Sequence, residues 1–66
     1  MKRLRHLRHL RALTLRELGE KSGVSYATIW RIENGHNDVR PSTIRKLCRA
    51  LGVDTAELVV LGDGDA

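Results

Sequence analysis

The chain has 66 residues, with twelve Lys and Arg against eight Asp and Glu for a net charge of +4. That length makes one domain, near the lower size at which a hydrophobic core suffices without staples. Cys48 is the single cysteine, which excludes a disulfide framework and a cysteine-based metal finger, and no apolar run reaches the roughly 18 residues that span a bilayer.

Residues 2–11 place Leu4, Leu7 and Leu10 at spacing three between Arg3, Arg5, Arg8 and Arg11, which predicts an amphipathic first helix. The arginine run reads either as a solvated face or as nonspecific phosphate attraction. Lys2 and Arg3 lead into no apolar h-region, so no signal peptide is expected, and a cytoplasmic protein with no membrane partner is the default. Thr14 and Glu17 form a T-x-x-E capping box that starts a second helix over about Leu15 to Lys21, burying Leu15 or Leu18. Ser22-Gly23-Val24 makes a turn, with Gly23 supplying left-handed backbone.

Ser25 is a good N-cap for a third helix that Gly35 ends. At about 100° per residue from Ile29, Ile32 and Glu33 lie on one side and Ala27, Arg31 and Asn34 opposite. Tyr26 projects from the first turn. Trp30 flanks the outer face, where it fits a cover over the rim of the core, a DNA backbone contact or a contact to a partner. After the polar HNDVR loop, Pro41 opens a fourth helix in which Ile44, Leu47, Cys48 and Leu51 form an i, i+3, i+4, i+7 core stripe ended by Gly52. Cys48 is expected to be a small buried hydrophobe. Asp54 and Glu57 start a short fifth helix through about Leu61, and the last five residues, 62–66, make a flexible acidic tail. The fold class is all-α, a compact five-helix bundle without strands.

All twelve cations fall within residues 1–49, alongside Glu17, Glu20, Glu33 and Asp38; Asp54, Glu57, Asp63 and Asp65 lie beyond them. A basic body with an acidic end suits a polyanion bound on part of the surface. Two short helices joined by a glycine turn, the second with an outer face that has no core role, point to DNA and its major groove. His6 and His9 are helix-face histidines with no evident third ligand, so no metal or cofactor is implied. No nucleophile–base pair appears, so an enzyme is not expected. Leu58, Val59, Val60 and Leu61 are apolar all round, which predicts a partly exposed patch and a homodimer surface.

The chain resembles the Xre/Cro/phage-repressor helix-turn-helix family over about residues 4–61. The resemblance rests on L-x-x-L-R at Leu4 to Arg8, L-T-x-x-E-L at Leu13 to Leu18 and G-V-S-x-x-T-I-x-R-I-E-N-G at Gly23 to Gly35, completed by T-I-R-K-L-C-R-A-L-G-V at Thr43 to Val53. It implies a lambda-repressor-like bundle, with residues 1–61 as the DNA-binding domain. It further implies a semi-buried Glu33 paired with Arg8, and base contacts from Tyr26, Ala27 and Arg31. Asn34 matches a phosphate-touching position, with Ser25 and Thr28 as secondary candidates at the helix start. Leu15 departs from the family, which commonly has a phosphate-binding glutamine there; Arg16 or the first-helix arginines are the expected replacements. The function implied is a sequence-specific regulator, with repression the expected sense, dimeric on double-stranded DNA. The alternatives are an antitoxin and an interaction module whose ligand is a partner protein, a toxin or another regulator.

Overall fold

Three helices of the chain place a residue triplet at i, i+3 and i+4 toward a common centre, and this repetition organises the fold. The computed structural model describes residues 1–36 and 39–58. Among them are five helices and no strand: α1 (Lys2–Leu10), α2 (Leu15–Ser22), α3 (Tyr26–Glu33), α4 (Pro41–Leu51) and α5 (Thr55–Leu58). The triplets are Leu4, Leu7 and Arg8 in α1, Ile29, Ile32 and Glu33 in α3, and Ile44, Leu47 and Cys48 in α4, where Leu51 extends the stripe. Leu18 and Leu58 complete a single buried cluster, to which Leu15, Val24 and Val53 are partly buried satellites. Burying each such side chain is worth about 1.5–3 kcal/mol.

Local signals set the helix ends. Thr14 Oγ1 accepts from Glu17 N at 3.0 Å while Glu17 Oε1 accepts from Thr14 N at 2.8 Å, so the capping box is closed in both directions. Pro41 opens α4, and Gly52 closes it in left-handed conformation. The end of α1 is less conventional: Ala12 takes φ 56, and Leu13 N donates back to Arg8 O at 3.1 Å. This turns the chain from α1 toward α2 within four residues.

Two expectations are corrected. Leu10 is 61% exposed. A strict three-residue spacing rotates about 60° per step away from the core, so Leu10 leaves the buried face and Arg8 takes the i+4 place instead. Leu58, expected on an exposed dimer patch, is 0% exposed. It is the one buried residue of a single-turn helix that packs on α4, and it belongs to the core. Val59, Val60 and Leu61, together with the expected tail at 62–66, lie outside the described residues. Cys48 is buried, and burial, reinforced by Asp54 and Glu57, pushes its thiol up, which keeps it neutral. No helix among the described residues is long and apolar enough to cross a membrane.

The contrast between these two leucines is testable. Leu58→Ala should lower unfolding stability by about 2–4 kcal/mol in urea titrations, whereas Leu10→Ala should change it by under about 0.5 kcal/mol.

Candidate nucleic-acid interface

The site begins with what fixes α3 from behind. Glu33 is the last residue of α3 and is buried, and a carboxylate in that position needs compensation. Arg8 supplies it through two parallel bonds, Nε to Oε2 at 2.7 Å and Nη2 to Oε1 at 3.0 Å. The third nitrogen, Nη1, donates to Leu13 O at 2.9 Å. One guanidinium thus joins α1, the α1–α2 connection and the end of α3. The bond to Glu33 holds the Arg8 guanidinium above its ordinary pKa, with desolvation opposing. Arg5 adds a longer contact to Glu33 Oε1 at 3.5 Å.

The turn into α3 is set by α2. Gly23 adopts φ 77, and Ser25 caps α3 by accepting from Ala27 N at 3.2 Å. Gly19 was not singled out from the sequence, yet it controls how close the two helices come. A Cβ there would stand 3.0 Å from Val24 O and 3.4 Å from Tyr26 N. A glycine inside a helical pattern is the available sequence signal for such a close approach.

With α3 held this way, its outer side is left to solvent. Tyr26, Ala27, Thr28, Trp30 and Arg31 are all exposed, and Tyr26 and Trp30 each keep 51% of their surface. Trp30 is therefore not a cover for the core rim. Tyr26, Ala27, Trp30 and Arg31 border one shallow groove whose remaining wall is Leu15 of α2. Arg16 stands over the Tyr26 ring with Cζ 5.6 Å from its centroid, which brings it to the edge of the same face.

The opposite flank of Arg31 is polar. There Arg31 shares a depression with Thr28, His36, Arg40 and Thr43. Neither His36 nor Arg40 was among the residues expected from the sequence; polar and basic residues just past α3 were the available signal. Asn34 caps α3 and is already engaged at both ends of its amide. Its Nδ2 donates to Trp30 O at 2.8 Å and its Oδ1 accepts from Arg5 at 3.4 Å.

Two further arginines, Arg3 of the first helix and Arg11 just past it, are exposed and also reach carbonyls elsewhere in the fold. Arg3 donates to Glu57 O, and Arg11 to Leu51 O at 3.0 Å, satisfying carbonyls at the far ends of α5 and α4. The cationic face that remains around α3 is Arg16, Arg31 and Arg40.

The family follows from the sequence as a whole. A model described as a helix-turn-helix domain matches residues 2–61. The chain belongs to the helix-turn-helix domain family. Within that family it is 53% identical over 51 residues to "HTH-type transcriptional repressor RghR" of Bacillus subtilis (strain 168), a match covering 76% of this chain and 38% of that protein. It is 46% identical over 57 residues to "Uncharacterized HTH-type transcriptional regulator RghRB" of the same organism, covering 85% of this chain and 41% of the relative. The chain thus aligns with about two fifths of the length of these curated relatives. No solved structure matches it significantly.

The buried pair gives a thermodynamic test. Glu33→Ala, which strands the Arg8 guanidinium, should lower urea stability by about 3–5 kcal/mol. The double variant Arg8→Met, Glu33→Leu should lose less than the sum of the single changes, because neither charge is then left alone in the core.

Proposed function

We propose that this chain is the DNA-reading domain of an Xre-type transcription regulator, and that α3 enters the major groove with its outer face against the base edges. The observation that carries this reading is the exposed row Tyr26, Ala27, Trp30 and Arg31 on a helix whose other side is clamped through Glu33. An arginine at the centre of such a face is suited to guanine, since its planar fork can donate to O6 and N7 together. Ala27 leaves room for the helix backbone to approach the bases closely.

Phosphates on the two sides are assigned to different groups. Arg16 and Ser25 serve the strand beside the start of α3, where the first N–H groups of the helix add donors. Thr28 and Arg40 serve the other, beside His36. This division gives Leu15 no phosphate to hold and passes that role to Arg16. Repression is the expected sense, in keeping with the printed name of the RghR relative. On this reading a homodimer would read two half-sites about 34–36 Å apart.

Selection of bound sequences from a random duplex pool at two salt concentrations tests the reading. The expected result is an enriched motif with guanine in each half-site and affinity that falls steeply with salt. Arg31→Ala should cost about 1–3 kcal/mol on that motif and relax the preference at the guanine, while leaving nonspecific binding nearly intact. Salt-sensitive binding with no enriched motif would contradict it.

A further inference from the structure

The groove along α3 has a floor that phosphate binding does not call for. Leu15, Tyr26, Ala27 and Trp30 supply apolar walls, and Arg31 stands at the edge. Among the described residues the exposed large hydrophobics are Leu10, Tyr26 and Trp30, and two of these three stand together here. Keeping an indole half in water is unfavourable unless a ligand covers it. Leu15 adds a further apolar wall, from a different helix, at the same spot.

On DNA, phosphate and sugar oxygens gain nothing from such walls. The apolar group that the major groove offers on base edges is the C5-methyl of a pyrimidine. The charges around the groove fit that occupant. Arg31 lines the groove, and Arg16, standing over the Tyr26 ring, brings a second cation near it, where a guanine acceptor edge and a phosphate would adjoin a methyl group. A protein ligand would have to match an apolar floor with carboxylates placed for both guanidiniums.

We propose that this groove receives the C5-methyl of a pyrimidine, thymine or 5-methylcytosine, that adjoins the guanine bound by Arg31. The inference rests on the DNA-reading assignment of α3 and extends it by naming the base edge and the residues that sense it. Trp30 and Leu15 become specificity residues, touching the methyl, while Arg31 reads the neighbouring base. Trp30 follows Ala27 by three residues and precedes Arg31 by one, so methyl and guanine would be read by adjacent positions of one helix.

The test uses the full chain and the duplex best enriched from the random pool. Each thymine is replaced singly by uracil, which deletes only the methyl, and in a parallel set each cytosine that precedes a guanine is replaced by 5-methylcytosine. Dissociation constants are read by fluorescence anisotropy of the labelled duplex. One uracil next to the guanine should weaken binding about threefold to tenfold, or one 5-methylcytosine strengthen it by a similar factor, which separates the two sources of the methyl. In Trp30→Ala, checked for fold by circular dichroism, that discrimination should vanish and affinity should match the methyl-free duplex. If uracil and 5-methylcytosine are without effect at every position on a motif that is nonetheless specific, the inference falls and the DNA-reading assignment stands, with the groove left to a protein partner. Methyl discrimination that survives in Trp30→Ala also overturns the role given to that residue. If no motif is enriched at all, the assignment and the inference fall together.

Discussion

The bond between Arg8 and Glu33 is the constraint on which the rest of the structure depends. Both residues occupy the last place of an inward triplet, where an apolar side chain would be the simple choice. Buried charges of this kind add little net stability compared with well-packed hydrophobes, but each is costly without the other. What the pair adds here is geometry. The two parallel bonds to Glu33 fix the guanidinium against the end of α3, and the third bond, to Leu13 O, fixes the chain that leads into α2. The orientation of α3 is therefore tied at its C-terminal end by α1 and at its start by the close approach of Gly19 to the turn.

A helix held at both ends can leave its outer face free of structural duty. In α3 the division is sharp: Ile29, Ile32 and Glu33 are buried, and Tyr26, Ala27, Trp30 and Arg31 are exposed. The arginines divide similarly. Arg3, Arg8 and Arg11 are committed to carbonyls or to Glu33, whereas Arg16, Arg31 and Arg40 gather around α3. The net charge of +4 thus understates how selectively the cations are placed. A long-range attraction to a polyanion and a short-range reading face come from different sets of the same residue type.

Much of this was legible because the determinants are local. Thr14 with Glu17, Ser25 and Gly52 mark helix ends through bonds made within a few residues, Pro41 marks one through its fixed backbone, and the Ile44 to Leu51 stripe follows helical period. The Arg8–Glu33 pairing joins residues 25 apart in sequence, and came through the family resemblance together with the inward position of Glu33. What the sequence did not reveal depends on how helices meet. Leu10 shares the spacing of Leu4 and Leu7, yet lies past the buried arc. Leu58 belongs to an apolar run that is ambiguous until α5 is docked on α4. The groove shared by Leu15 and Trp30 forms where α2 and α3 meet, and neither residue announces the other along the chain.

The central claim is that α3 meets DNA with its outer face, and backbone amide NMR of the labelled protein titrated with its enriched duplex tests it most directly. The largest shifts should fall on Ser25 to Arg31, on the indole N–H of Trp30 and on Arg16 and Arg40 at the flanks, with α5 and the outer side of α4 nearly unmoved. Shifts concentrated on α4 and α5, with the Trp30 indole unchanged, would contradict the account.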